Sequence, residues 1–488
     1  MGYRLFYGTW EPVVLMLREK SKWRSHKDES TDARHRGGVT RSSGEVSVMG
    51  MERRGYIVQL YKGDQPILGG IFLRKAKPFN ISKREVWEAY RRVKANRGAA
   101  GVDNQSLAAF EKDLESNLYK IWNRMSSGSC FPPPIRRVEI PKGNGEKRPL
   151  GIPTVSDRIA QMVVKRYLEP RLEPYFHADS YGYRPGKSAL DAVGKARGRC
   201  WKYNWVLDLD IKGFFDTIDH GLLKRAVCRH TGNRWVLLYI ERWLEAPVQL
   251  QDGSLKERIK GTPQGSVISP LLANLFLHYA LDKWMQRNCS SIPFERYADD
   301  IICHCTSQLQ AKWLLGKVRD RLAECKLGLN LEKTKIVYCK DEQRKGNYSN
   351  VKFGFLGFTF QPRSVKTSKG RLFVGFNPAI SQKAAKAMRD EIRSWRIHLR
   401  SDKSIEELSG MFNPKLRGWV NYYGSFYRSK LYRHLRSLSI LLAKWAMRKY
   451  KRFKEHQRRA SRWITRIRKR SPYLFAHWRM AAGALAGQ

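Results

Sequence analysis

Residues Phe294–Cys305 read "FERYADDIICHC". Two carboxylates, Asp299 and Asp300, stand side by side between two apolar stretches. Successive side chains on a strand point to opposite faces, so adjacent acids in such a stretch set at least one carboxylate where burial is costly. The pattern predicts two short strands, "FERYAD" and "DIICHC", meeting at a tight turn that carries both acids. An exposed hairpin turn is the commoner meaning of an Asp-Asp pair taken alone. The rest of the chain has to decide between the two.

The 488 residues carry 93 Lys and Arg against 44 Asp and Glu, a formal net charge of +49. That excess is far beyond what solubility needs and points to a polyanionic partner, with nucleic acid first and an anionic membrane surface second. No apolar run approaches the roughly 18–20 residues of a spanning helix, so no membrane partner is expected. Hydrophobic residues make up 42% of the chain, enough for a packed core. The eight cysteines form no C-x-x-C pair, which argues against zinc and disulfide frameworks. Reduced thiols in the cytosol are the expectation.

Residues 1–75 are polar and aperiodic in "SHKDESTDARHRGGVTRSSGEVS" and read as a poorly structured extension. Order begins near Pro78. "ISKREVWEAYRRVKAN" sets Val86, Tyr90 and Val93 on one helical face. "FPPPIRRVEIPKGNGEKRPLGIP" reads as strand, turn, strand, and "SDRIAQMVVKRYLEPRLEPYF" as a helix capped by Ser156. "WVLDLDIKGFFDTIDH" starts as a strand and then turns, and Asn330–Phe360 suggests several short strands. From Pro378 onward the chain reads as helical and basic; between Lys444 and Arg470, 13 of 27 residues are Lys or Arg. The fold class is therefore α+β, with an α-helical C-terminal part.

Asp210, at the end of "WVLDLD", can supply a second acidic segment beside Asp299 and Asp300. Asp208 shares its strand face and is a rival. Carboxylates from separate segments are what a catalytic metal pair needs, and bound cations would relieve their repulsion.

Three motifs together, "LDLDIKGFFDTIDH", "GTPQGSVISPLLANLFLHYALDKWM" and "RYADDI", resemble the group II intron-encoded reverse transcriptases, or maturases. The resemblance runs from about Pro78 to Trp478. It implies a right-hand polymerase with fingers and palm at 76–361, a maturase thumb (domain X) at 362–440 and a basic DNA-binding region at 441–488. It implies Asp210, Asp299 and Asp300 as ligands of two Mg²⁺ ions, with the Ile211 carbonyl nearby; Asp208 matches no catalytic position. Phe215 resembles the gate that crowds a ribose 2′-hydroxyl, although Phe214 or Phe215 also suits a core. Gln264, Lys142 and Arg148 resemble nucleotide contacts, and a Pro-Gly connection and a solvated turn are their plainer meanings.

Arg184 and Lys187 flank the capping-box-like "SALD" and suit a template phosphate. Lys333 or Lys335 could protonate the leaving pyrophosphate. "FGFLGFTF", with Gly354 and Gly357, resembles a primer-gripping turn. Trp419, Tyr422, Tyr423, Phe426 and Tyr427 fall on one helical stripe, more often core than RNA-stacking surface, beside Lys415, Arg417 and Arg428. Arg448, Lys449, Lys451 and Arg452 open the basic tail.

Many family members end in a Cys- and His-containing endonuclease domain; here no Cys follows Cys339. Insertion into single-stranded or replication-fork DNA is the implied route. The partners expected are group II intron RNA, a target DNA primer and dNTPs. The activity expected is RNA-directed DNA synthesis together with splicing assistance and retrohoming. A splicing maturase with little polymerase activity, or a reverse transcriptase recruited to defence or repair, are the alternatives.

Overall fold

The computed structural model describes residues 77–96, 98–141, 147–366 and 370–485. The expectations for residues 1–75 and for Lys142 lie outside the described residues.

The sequence "FPPPIRRVEIPKGNGEKRPLGIP" gives the strands β1 (Ile135–Pro141) and β2 (Lys147–Ile152), paired antiparallel. Next come β3 (Trp205–Asp210), β4 (Val248–Gln249) and β5 (Leu255–Lys256). β6 (Phe294–Tyr297) and β7 (Asp300–Cys305) form the expected hairpin. β8 (Lys335–Tyr338), β9 (Phe353–Phe355), β10 (Phe358–Lys366) and β11 (Leu372–Ile380) follow. Three sheets result, with strand orders β2-β1-β4-β5, β6-β7-β3-β8 and β11-β10-β9. The second is antiparallel throughout. The architecture is mixed α and β.

This central sheet separates two cores. Trp205, Leu207 and Leu209 of β3 and Ile301 and Cys303 of β7 face the first, which also holds the helix Val155–Leu172 and the helix Ser269–Leu277. Val206, Ile302 and Val337 face the second, built from β9–β11 and the C-terminal helices. The strand alternation of "WVLDLD" thus feeds both cores at once. On the second face the apolar floor ends and Asp208 and Asp210 begin.

Several expectations need correction. The helix Val155–Leu172 is capped by Thr154, whose Oγ1 accepts the Asp157 N–H at 3.2 Å; Ser156 lies inside its first turn. The C-terminal helices begin at Gln382 because β11 runs to Ile380. The aromatic stripe is not one helix: Ile405–Tyr423 ends before Phe426 and Tyr427. Its members Trp419, Tyr422 and Tyr423 are buried in the second core. The boundary at 361/362 falls inside β10, and that at 440/441 inside the helix Arg428–Lys449. Among the described residues, no helix is long and apolar enough to cross a membrane.

Candidate active site

Asp210 ends β3 and pairs directly with Asp300, the first residue of β7. Directly opposed residues share a sheet face, with Cβ atoms about 4.5–5.5 Å apart. Two acids distant in sequence therefore meet at one sheet end. Asp299 occupies the turn between Tyr297 and Asp300, after Ala298, which has φ of +57°. A left-handed backbone at a residue with a Cβ costs about 1–2 kcal/mol, so the surroundings must hold this turn. Asp208 lies on the same face, opposite Ile302 on one side and Lys335 on the other.

The cost of crowding shows in the protonation of these groups. Burial, with added repulsion from Asp299, Asp208 and Asp210, pushes Asp300 up to about 8. Burial pushes Asp208 up to about 7, against the pull of Lys335. Asp299 is raised too, chiefly by burial, while Arg148 opposes the rise. The Asp299 Oδ1 atom is buried without a hydrogen-bond partner. Lys333 Nζ stands 3.9 Å from Asp210 Oδ2.

Among the described residues, no three His, Cys, Asp or Glu side chains close into a ready-made metal cage. Mg²⁺ is ordinarily held by one or two carboxylates together with substrate phosphates rather than by an all-protein cage. The orphaned Asp299 oxygen and the mutually repelling acids fit such an open, oxygen-only site.

A pH dependence follows. A carboxyl raised to about 8 keeps its proton at neutral pH, and a cation must displace it. If these carboxylates hold Mg²⁺, its apparent affinity should rise about tenfold per pH unit from pH 6.5 until it levels near pH 8. The folded state also binds more protons than the unfolded chain between the ordinary carboxylate range, about 4, and that value. Stability without metal should therefore fall as pH climbs through this window, and Mg²⁺ should restore it. Mg²⁺ titrations and melting curves across pH check both; a flat profile in each would contradict the buried-acid account.

The hairpin is seated on a buried ionic lattice that the sequence did not single out. Arg296 and Asp282 have fully buried side chains and pair twice, Nε to Oδ1 at 2.7 Å and Nη2 to Oδ2 at 2.6 Å. Arg296 Nη1 also donates to Asn274 Oδ1 at 2.9 Å and to the Ala298 carbonyl at 3.2 Å. The Arg guanidinium thereby ties the Asp299 turn to the interior. Gly182 packs so tightly beside it that a Cβ there would stand 2.4 Å from Ala298 N. The only signal in the sequence was an Arg next to the motif, inside a strand, with Glu295 and Tyr297 on either side.

Facing the acids, Arg148 on β2 donates from Nε to Gln264 Oε1 at 2.7 Å. Two residues 116 apart in sequence are thus brought together. The loop bearing Gln264 is clamped to β2, since Gly151 N–H donates to the Gln264 carbonyl at 2.6 Å. Gly265, with φ of +111°, leaves no room for a Cβ, which would meet Gly151 O at 2.5 Å. Phe214 and Phe215 are both buried, their ring centroids 5.4 Å apart. Ile211 follows Asp210 and bridges to Leu329. In "FGFLGFTF" the four phenylalanines are core, and Tyr422 donates to the Leu356 carbonyl at 2.7 Å.

Residues 140–360, which contain this whole constellation, match the reverse transcriptase (RNA-dependent DNA polymerase) family, and residues 385–463 match the group II intron, maturase-specific domain. The chain is 33% identical over 304 residues to protein YkfC of Escherichia coli, an alignment covering 52% of this chain and 77% of that protein. The chain belongs to the group II intron-encoded reverse transcriptase/maturase family. It is also 32% identical over 260 residues to the group II intron-encoded protein LtrA of Lactococcus lactis, covering 53% of this chain but 41% of LtrA. A 91 kDa protein in the cob intron of Schizosaccharomyces pombe is 31% identical over 221 residues, covering 45% of this chain and 27% of that protein.

The basic residues expected to hold nucleic acid in this family member divide into two sets. Arg184 is turned inward: it pairs with Glu173 at 2.7 Å and donates to the His177 and Ser180 carbonyls at 2.6 Å each. Its donors are spent on the fold, so it is withdrawn as a nucleic-acid contact. Lys187 donates to the Ala178 carbonyl at 3.0 Å, Lys415 pairs with Glu391, and Lys449 donates to the Ser401 carbonyl at 2.9 Å. Arg417, Arg448, Lys451 and Arg452 are exposed. The Arg452 guanidinium lies 4.7 Å from the Phe453 ring.

Proposed function

We propose that this chain is an RNA-directed DNA polymerase that extends a DNA primer with dNTPs, and that it binds a group II intron RNA to assist splicing and retrohoming. The pairing of Asp210 with Asp300 beside the Asp299 turn carries the reading. On this reading β1, β2 and the preceding helices are fingers, the central sheet is the palm, and the helices from Gln382 are thumb and basic domain.

Asp210, Asp299 and Asp300 would hold two Mg²⁺ ions, which when bound supply activation of a 3′-hydroxyl and charge neutralisation on the leaving pyrophosphate. Arg148 offers its forked donors to the triphosphate, and the hydrogen bond to Gln264 pre-orients that fork. Lys333, beside Asp210, is placed to meet charge on the leaving group. The Phe215 ring is a wall where a ribose 2′-hydroxyl would project. The exposed cations of the C-terminal helices meet phosphate backbone, with affinity that falls as salt rises.

The direct test is Mg²⁺-dependent extension of a DNA primer on an RNA template by the purified protein, with intron RNA binding measured in parallel. Binding without extension would leave only the splicing function. Phe215→Val should admit ribonucleotides, lowering the dNTP over rNTP ratio of kcat/KM by at least about tenfold. An unchanged ratio would remove the gate.

A further inference from the structure

Beside the nucleotide pocket lies a group of cations that the mechanism above leaves unused. The loop after β5 runs along the segment that follows Asp210: Gly261 N–H donates to the Ile218 carbonyl and Thr262 N–H to the Phe215 carbonyl, both at 2.7 Å. Gly261 presses on Asp216 so closely that a Cβ would stand 2.8 Å from its carbonyl. This loop brings Arg258 toward Asp216, and β1 brings Arg137. Arg137 sits opposite Gly151, the residue that clamps the Gln264 loop.

Among the described residues, the charge balance of this corner is incomplete. Arg137 and Arg258 both act on the carboxylate of Asp216, and among the described residues neither forms an ion pair with it. Among the described residues Arg137 makes one long ion-pair contact, 3.5 Å to Glu139, and its Nε is buried without a partner. Arg258 Nη1 is likewise buried and unbonded, as is Thr262 Oγ1. Burial lowers Arg258 to about 10, with only Asp216 opposing. A guanidinium brought out of water with its donors unmet is costly unless an anion arrives to meet it. A planar fork with free N–H groups is matched by phosphate oxygens.

We propose that Arg137 and Arg258 form a phosphate-binding subsite beside the nucleotide pocket, separate from the Arg148–Gln264 pair. The phosphate comes from the nucleic-acid backbone or from the incoming nucleotide. The proposal rests on the polymerase reading for its ligands. Its test therefore uses binding alone: a 3′-deoxy primer on an RNA template, so that no turnover is required.

Arg258→Gln and Arg137→Gln are compared with the wild-type protein, after circular dichroism confirms their folds. If the phosphate belongs to the nucleic-acid backbone, the Kd for the hybrid should rise about tenfold in each variant. The slope of log affinity against log salt should then fall by about one, and dNTP affinity should stay unchanged. If the phosphate belongs to the nucleotide, the dNTP Kd of the binary complex should rise about tenfold and hybrid affinity should stay unchanged. Either result supports the subsite. Both constants within twofold of wild type, or the two variants moving different constants, would overturn it. Should Arg258→Gln fail to fold, Arg258→Lys replaces it: the charge stays, the fork is lost, and an about threefold loss in the same constant is expected. Wild-type constants in that variant would be equally fatal. Failure of the wild-type protein to extend an ordinary primer would instead count against the polymerase reading.

Discussion

Asp299→Asn should lower RNA-templated DNA synthesis by about 10³-fold or more while leaving intron RNA affinity within about twofold. Asparagine keeps the size and one oxygen of the side chain but removes the charge. Asp299 Oδ1 is a buried atom with no partner in the protein, so its substitution breaks no internal hydrogen bond at that oxygen. Loss of activity in a stably folded variant would then report on charge, not packing. The basic residues proposed to bind RNA lie on other segments, which is why RNA affinity should survive. Removing one of several repelling acids should also ease the burial cost on Asp300, so the variant without metal should melt no lower than wild type. Single-turnover primer extension, RNA binding and a melting curve check the three claims together. Comparable cDNA yield from the variant would sink the two-metal assignment.

The sequence made the central sheet legible because its signals are local. The alternation of "WVLDLD" and the apolar runs around Asp299 and Asp300 each specify a strand, and their pairing puts Asp210 opposite Asp300. Capping was nearly legible: the Ser188–Asp191 capping box forms as read, whereas Thr154 displaced Ser156 because the helix starts two residues earlier. What the sequence hid is where cations go. Arg184 and Arg148 are both arginines near turns, yet one spends its donors on Glu173 and two carbonyls while the other faces the acids. Only tertiary placement separates them.

The basic tail shows the same limit. Read as a charge run, it looks like an appended DNA-binding strip. Its apolar members, Trp445, Phe453, Ile464, Phe475 and Trp478, are buried in the second core with the helix Ile405–Tyr423. Truncation at residue 444 would therefore remove core as well as charge, and reversal of exposed charges at Arg448 and Arg452 is the cleaner probe of DNA contact.

Arg296→Met should destabilise the protein by about 3–5 kcal/mol, since it strands Asp282 as an uncompensated buried charge. Among the described residues, the other ion-pair partner of Asp282 cannot substitute. His278 Nδ1 is 3.9 Å from Asp282 Oδ2, but burial lowers that histidine to about 4, so it is neutral near pH 7. The variant also removes the donor that holds the Ala298 carbonyl, at the one residue of the Asp299 turn with a left-handed backbone. Two effects follow and can be separated. A merely structural role would lower the melting temperature and leave kcat unchanged where the variant is still folded. A positioning role predicts that kcat falls at least about tenfold at 15 °C in the folded variant, with RNA affinity unchanged, because small misplacements of reacting groups are costly. Arg296→Lys keeps the charge but not the fork, and should recover stability more than kcat. Adding Asp282→Asn to Arg296→Met should return part of the stability by removing the stranded charge, yet little of the rate, since the Ala298 carbonyl remains untethered. Full recovery of kcat in that double variant would mean that the lattice stabilises the fold without aiming the Asp299 turn.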